Sequence, residues 1–198
     1  MKKICAVMLL LALIALTGVT AAQGSKYDVD KVHSHIGFDV THLVISKVHG
    51  EFKDYEIDLL YNEKDVTKTT VEVRIKVTSI DTDNQKRDDH LRSSDFFDAA
   101  NNPEIIFKSK KIEKSDNGYV AHGDLTIRGV TKEVALPFKV NGPVKDPWGN
   151  TRIGIEANLT INRHDYGVSW NKALDGGGFV VGDEVEIGIQ TSLIASQT

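Results

Sequence analysis

The chain has 198 residues and a formal net charge of −4, and its charged residues, 26% of the total, mix both signs. This length favours one domain. The lack of a basic surplus argues against nucleic-acid binding, which calls for a basic patch. The single cysteine, Cys5, lies close to the start, so the rest of the chain has no thiol for a disulfide or for thiol catalysis.

The first 22 residues have the order of a secretory signal peptide. Lys2 and Lys3 form a positive start, residues 4–16 are almost wholly apolar, and residues 17–22 are small and weakly polar. The apolar run is shorter than the roughly 20 residues that span a bilayer. We therefore expect cleavage near Ala22 and a periplasmic or secreted domain over residues 23–198, without stable membrane insertion. Only two basic residues and no acidic ones precede residue 23, so this domain has a formal charge of −6.

Alternation of apolar and polar residues dominates the chain after the signal peptide. A period of two is typical of strands with one dry face and one wet face. We predict strands at residues 36–42, 48–60, 71–77, 104–112, 119–127, 134–140, 153–161 and 185–193. Clusters of Gly, Asn and Pro separate many of these runs and favour tight turns. The stretch with helical character is 84–94, for which Asp81 or Asp83 is a candidate N-cap.

About eight antiparallel strands with one dry face must close into a barrel or pack as a sandwich. A barrel of this strand number can hold one small ligand. The chain has only seven phenylalanines and two tryptophans, which favours a barrel with a cavity over an interior filled with rings. The residues predicted to line this cavity are the inward-facing positions Phe38, Val40, Val73, Ile75, Leu125, Phe138, Ile155, Leu159 and Ile187.

The predicted helix and the residues after it combine acidic, basic and aromatic side chains. Such a polar insertion is where a small β-barrel is expected to carry specific chemistry. We name Arg87, His90 and, at the end of an apolar run, His42 as candidate contacts for a ligand head group. The alternative is that these side chains pair with nearby carboxylates or strands and pin the helix to the barrel. Phe96 and Phe97 are predicted to plug the barrel end.

Patterns typical of metal sites and enzymes do not stand out. His33 and His35 would share a strand face, but a third ligand is not indicated, and zinc usually needs three or four. The sequence contains no Gly-x-Ser-x-Gly elbow, zincin motif or phosphate loop. Asp30, His33 and Ser34 have the residue types of a catalytic triad, but adjacent residues on a strand point to opposite faces. We therefore predict no metal site and no catalytic residues.

Several short motifs, in this order, resemble the YceI-like family. Each motif alone is weak, and their number and order make the combination specific. They include Asp30-Lys31-Val32-His33-Ser34, Gly50-Glu51-Phe52, Arg87-Asp88-Asp89-His90-Leu91-Arg92, Phe96-Phe97-Asp98, Asp146-Pro147-Trp148-Gly149 and Ile161-Asn162-Arg163-His164-Asp165-Tyr166-Gly167. The resemblance covers nearly all of the chain after the signal peptide. It implies an all-β fold, an elongated antiparallel lipocalin-like barrel, in a family whose members are periplasmic or secreted.

The resemblance also implies a function, because some members of the family hold polyisoprenoids or other long-chain amphiphiles inside the barrel. The first hypothesis is thus an exported binding protein for a polyisoprenoid, quinone-like or fatty amide chain, for storage, transport or stress response. The bound isoprenoid lipid would be its partner, and no other cofactor is expected. The second hypothesis is a small exported enzyme or stress factor that uses the cavity as a reaction site. A third is an interaction module with a filled core. The sequence does not decide between a monomer and a homodimer.

Overall fold

The computed structural model of the protein describes residues 24–196. The predicted signal peptide lies outside these residues, so its cleavage stays a prediction. Within them the chain forms eleven strands, one α-helix and four short 3₁₀ turns. The elements are β1 (Ser25–Val29), β2 (His35–His42), β3 (Ser46–Phe52), β4 (Tyr55–Tyr61), β5 (Thr70–Lys76), β6 (Ile80–Asp81), α1 (Gln85–Arg92), β7 (Glu104–Ser115), β8 (Gly118–Ile127), β9 (Val130–Lys145), β10 (Thr151–Asn162) and β11 (Val181–Ala195). The 3₁₀ turns are Lys31–His33, Val66–Lys68, Val77–Ser79 and Arg163–Tyr166.

The strands form a closed antiparallel barrel with eight strand positions around it. We call each position a stave, because some positions are shared by two short strands. Neighbours follow the order β1-β4-β5-β7-β8-β9-β10-β11, and β11 pairs back onto β1 to close the sheet. The last residues of β11 pair with β1 and its earlier part pairs with β2, so β1 and β2 are successive halves of one stave. β3 and β4 divide the next stave in the same way, pairing with β2 and β1 respectively.

The stave made of β3 and β4 corrects the sequence prediction, which placed one strand at residues 48–60. The chain leaves the sheet register between Phe52 and Tyr55 because its hydrogen-bond partners change there. The Lys53 amide donates to the Ser79 carbonyl, and the Asp54 carbonyl accepts from the Lys76 amide. The break therefore lies where the neighbouring stave is itself interrupted, between β5 and β6.

The predicted helix at 84–94 is confirmed as α1. Its N-cap is Asn84, whose side chain accepts a hydrogen bond from the Arg87 amide at 3.1 Å, so the proposed caps Asp81 and Asp83 are wrong. Asp88 is buried in the first turn and accepts from the amide and hydroxyl of Thr82. These bonds tie the helix to the chain that leaves β6.

The predicted wet and dry faces of the sheet are those observed. Glu72, Arg74 and Lys76 point outward, and Arg74 forms ion pairs with Asp58 and Glu72. The apolar residues that alternate with them on β5 line the barrel interior. Because successive side chains of a strand point to opposite faces, a register shift of one residue would turn all of these apolar residues outward.

The two ends of the barrel differ. We call the end that holds α1, the β2–β3 turn, the β8–β9 turn and residues 163–180 the helix end. The terminal end holds the start of β1, the last residues of β11 and the β9–β10 turn. Strand direction places these connections together, because β2 and β10 both end beside the start of β11. The two ends of the barrel are therefore closed by different segments of the chain.

At the outer surface near the terminal end, Arg152 joins two acidic side chains. Its guanidinium donates to Asp146 at 2.8 Å and to Asp30 at 2.7 Å. These bonds from Arg152, with further bonds from Asn150 and Trp148, hold the pKa of Asp146 well below its usual range. The pKa of Asp30 is lowered in the same direction, first by Arg152 and then by His33. The folded state therefore favours both carboxylates in the ionised form.

This arrangement predicts a specific acid sensitivity. A carboxyl whose pKa is lowered on folding stabilises the protein above its unfolded pKa, about 3.9 for Asp, and loses that contribution as pH falls toward the folded value. We expect Asp146→Asn to lower the urea midpoint at pH 7, with the difference from wild type shrinking steadily below about pH 4. The exposed loop carboxylate change Asp175→Asn is the matched control. A difference that stays constant with pH would contradict the prediction.

Candidate functional site

The barrel encloses a cavity of about 230 Å³ whose wall is almost wholly aliphatic and aromatic. Inward positions of the strands supply this wall, so the surface that the period-two pattern keeps away from water is also the surface offered to a ligand. The structure places all nine sequence-predicted positions on it, namely Phe38, Val40, Val73, Ile75, Leu125, Phe138, Ile155, Leu159 and Ile187. Their contact with a ligand stays a prediction.

The terminal end of the cavity is closed by buried side chains. Tyr61, Val66 and Thr69, from β4 and the connection to β5, line the cavity there and are buried. The ring of Tyr27 meets that of Tyr61 edge to face with centroids 5.6 Å apart. The Tyr27 hydroxyl donates to Glu63 at 2.8 Å, and burial raises the Tyr27 pKa. The Tyr27 hydroxyl is therefore paired with Glu63, and neither residue lines the cavity.

At the helix end, aromatic side chains cover the cavity. Phe96 and Phe97, from the chain just after α1, both line it, in keeping with the expected plug. The Phe97 ring lies 6.1 Å from that of Phe52, and the Phe96 ring lies 5.3 Å from that of Trp170. Phe97 is only half-buried, as are Val181 and the other lining residues at the start of β11. The helix end therefore combines half-buried lining residues with buried ones such as Phe96.

Among the described residues that line the cavity, Arg163 alone carries a charge. It is buried, and its guanidinium donates to the carbonyls of Gly182 at 2.8 Å, Val168 at 2.7 Å and Trp170 at 3.0 Å. Burial lowers the pKa of Arg163, and the nearby Asp183 carboxylate partly opposes this. Because its donors are used by backbone carbonyls, Arg163 holds the residues after the Arg163–Tyr166 turn against β11.

The three candidate head-group residues are not on the cavity wall. Arg87 donates from Nε to the Thr82 hydroxyl at 2.7 Å and from Nη2 to the Thr82 carbonyl at 2.6 Å. The Nε2 atom of His90 lies 2.9 Å from Asp95. His42 ends β2, half-buried, opposite Val181 and Ser46. The contacts of Arg87 and His90 fit the alternative in which these side chains pair with nearby groups, and a head-group role for all three residues stays a prediction.

Comparison with known proteins identifies the family. The family model for the YceI-like domain matches residues 27–193. The chain belongs to the YceI-like family. Among its relatives, a UPF0312 protein of Serratia proteamaculans is 39% identical over 158 residues, which cover 80% of this chain and 82% of that protein. A UPF0312 protein of Staphylococcus epidermidis is 39% identical over 163 residues, covering 82% of this chain and 93% of that protein.

Several solved structures have the same barrel. The crystal structure of Burkholderia cenocepacia BcnA aligns with a TM-score of 0.72 at 25% identity, covering 83% of this chain and 99% of that one. The Campylobacter jejuni YCEI protein aligns with a TM-score of 0.67 at 34% identity, covering 86% and 98%. A polyisoprenoid binding domain from Saccharophagus degradans, 14% identical with a TM-score of 0.62 over 87% and 99%, shares the fold. The expected all-β, lipocalin-like barrel is confirmed.

The sequence predictions give no role to Arg163 in this YceI-like chain, although the alternation of apolar and polar residues along β10 indicates its inward position. Inward positions of β10 are odd-numbered from Ile153 to Ile161, and the next odd position is 163. Extending the period by one step would have placed this cation inside the barrel. Two of its acceptors, the carbonyls of Val168 and Trp170, lie in an irregular segment without such a period, so the sequence held no comparable signal for these partners.

Two further observations concern residues 24–196 of the YceI-like chain. No three His, Asp or Glu side chains lie close enough together there to hold a metal ion. No helix in that part of the chain is long and apolar enough to cross a membrane.

Proposed function

We propose that this YceI-like protein is an exported binding protein that holds a long-chain amphiphile, such as a polyisoprenoid, quinone-like or fatty amide chain, inside the barrel. The observation that carries the proposal is the apolar cavity within a closed barrel. A hydrocarbon chain gains free energy from such a wall because each buried CH₂ contributes about 0.8 kcal/mol. The likeness to a fold whose solved example is described as polyisoprenoid binding is consistent with this proposal.

The composition of the wall supports binding over catalysis. Among the described lining residues there is no carboxylate, imidazole, lysine or thiol. General acid–base chemistry needs such a group within hydrogen-bond reach of the reacting atom. Arg163 keeps its proton at any working pH and already donates to three backbone carbonyls at 3.0 Å or less. Apart from the phenols of Tyr61 and Tyr166, whose pKa values burial raises, the described lining offers the enzyme hypothesis no proton-transfer group.

Export is proposed for residues 23–198 from the order of charges and apolar residues in the first 22. The family resemblance to periplasmic or secreted proteins agrees with this proposal. A carrier outside the cytoplasm would exchange a poorly soluble lipid across an aqueous space, for transport, storage or stress response. Fractionation with N-terminal sequencing tests it directly, because recovery of Met1 in the mature fraction would overturn export.

Chain-length dependence is the sharpest test of the cavity. Refolded, lipid-free protein would be titrated with prenyl alcohols and saturated alcohols of rising length. We expect the affinity to rise with each added CH₂ by at most about fourfold, the value that corresponds to 0.8 kcal/mol, and to level off once the cavity is filled. The same series with the hydroxyl replaced by an amide should shift the affinities far less than the chain length does.

Affinities that do not change with chain length would overturn this function. Native mass spectrometry of protein isolated from its own cell envelope provides a second measurement. A retained lipid would give the mass of the physiological ligand, and its chain would be expected to occupy the cavity described above.

A further inference from the structure

The turn between β2 and β3 exposes three consecutive apolar residues at the helix end of the barrel. Leu43, Val44 and Ile45 are 37%, 63% and 86% exposed. Phe179, 55% exposed, lies on the loop that packs against this turn. The Leu43 amide donates to the Val180 carbonyl at 2.9 Å, which holds the two segments together. We call Leu43, Val44, Ile45 and Phe179 the apolar tip.

The backbone of the apolar tip adopts a costly conformation. Leu43 and Val44 have φ angles of 52° and 66°, in the left-handed region. A β-branched residue in this region is a genuine outlier, since its side chain crowds the backbone, and such strain costs on the order of 1–3 kcal/mol. Gly or Asn would relieve the strain. The chain instead carries large apolar side chains here, which points to a use for them outside the fold.

The shape of the tip argues against pairing with another strand. The amides of Leu43 and Ile45 are already bonded within the chain, to the carbonyls of Val180 and, at 3.2 Å, of His42. An added strand needs a row of free amides and carbonyls at a sheet edge. The tip is a convex turn that presents side chains rather than backbone, and a convex apolar projection suits insertion into a soft apolar medium.

The tip is continuous with the cavity wall. Val180, bonded to Leu43, precedes Val181, which lines the cavity and pairs with His42. Val40, two residues before His42 on the same strand, also lines the cavity. The exposed tip therefore adjoins the two strands whose inward residues Val40 and Val181 line the cavity. The choice of partner rests on the proposed function, because a long-chain amphiphile resides in a lipid bilayer before it is bound.

Charges around the tip indicate which bilayer it fits. Lys47 forms an ion pair with Glu186 at 2.7 Å. Lys172 and Asp175, both exposed on the loop that carries Phe179, balance one another in sign. Basic clusters drive docking on anionic membranes, and this surface has none among the described residues near the tip. Contact between the tip and a bilayer would therefore be apolar rather than electrostatic.

We propose that the apolar tip docks on the surface of a zwitterionic lipid bilayer, with the helix end of the barrel facing the membrane. The tip side chains enter the boundary between head groups and acyl chains. Amphiphile then passes between the bilayer and the cavity beside Val181.

Flotation of the lipid-free protein, residues 23–198, with phosphatidylcholine vesicles tests the docking. We expect Ile45→Asp and Phe179→Asp each to reduce the vesicle-bound fraction about tenfold or more, which corresponds to the loss of roughly 1.4 kcal/mol. Both positions are exposed, so the variants should fold as wild type does. The matched control is Trp148→Asp, an 80% exposed aromatic residue on the β9–β10 turn at the opposite end. It should float like wild type, and added phosphatidylglycerol should not increase binding.

Insertion has an independent readout. Phe179→Trp in a Trp148→Phe background should lose fluorescence with vesicles of brominated phosphatidylcholine, relative to the Trp148→Phe protein alone. Unchanged fluorescence, absent flotation of the wild type, or an equal loss for Trp148→Asp would overturn the docking proposal. A dimer in sedimentation velocity that Ile45→Asp dissociates would also overturn it, because the tip would then join two copies of this chain.

Ligand transfer separates this proposal from the proposed function. The Ile45→Asp variant should bind a prenyl alcohol supplied from cyclodextrin as wild type does, and should take it up from vesicles about tenfold more slowly. A wild type that floats but binds no prenyl alcohol would overturn the proposed function and leave docking intact. Equal uptake rates from vesicles would overturn the tip as the route of exchange.

Discussion

We expect Phe138→Asp to reduce the affinity for a long-chain alcohol by at least about a hundredfold, the ratio that corresponds to roughly 2.7 kcal/mol. Phe138 faces the cavity from β9, and its ring stacks on that of Tyr119 with centroids 5.5 Å apart. A carboxylate at this position would have to be desolvated by the hydrocarbon chain without a partner, which costs far more than a lost contact. Fluorescence or calorimetric titration of the refolded protein measures the effect.

Two variants control this experiment. Lys139→Asp introduces the same carboxylate one residue later, on the exposed face of β9, and should leave the affinity within about twofold because it stays in water. Phe138→Leu keeps the wall apolar and should cost much less than Phe138→Asp. Val73→Asp, on the inward face of β5, should repeat the large loss. Equal affinities for Phe138→Asp and Lys139→Asp would show that the chain binds outside the cavity.

The second large effect is on stability. We expect Arg163→Ala to lower the free energy of unfolding by about 3–5 kcal/mol, because it leaves three backbone carbonyls without their donor at about 1–3 kcal/mol each. The carbonyls of Val168, Trp170 and Gly182 would lose their donor and remain buried or half-buried. Urea unfolding followed by far-ultraviolet circular dichroism measures the change.

Arg163→Lys tests the geometry behind this value. A lysine keeps the positive charge but lacks the planar fork that reaches several carbonyls at once, so it should recover only part of the loss. His164→Ala, at the exposed neighbouring position, is the matched control and should change the free energy by less than about 1 kcal/mol. An Arg163→Ala protein as stable as His164→Ala would mean that water replaces the guanidinium without penalty.

The lining of the cavity could be predicted from the sequence because it follows from a local rule. Residues two apart on a strand share a face, so the alternation along β5, β9, β10 and β11 assigned Val73, Phe138, Ile155 and Ile187 to the interior. The candidate head-group contacts had no such rule. The prediction for Arg87 and His90 rests on residue type near a helix, and in the structure these side chains contact Thr82 and Asp95 instead.

The strand faces and the helix at α1 follow from the sequence alone, since period and turn composition are properties of neighbouring residues, whereas the same strands could also pack as a sandwich. The tertiary structure decided where the staves break, as between β3 and β4, and how Arg163 is satisfied by carbonyls of a segment without a period. It also brought Val44 of the β2–β3 turn beside the loop that carries Phe179, more than a hundred residues later. Contacts between such distant segments depend on the closure of the whole barrel, and no local pattern records them.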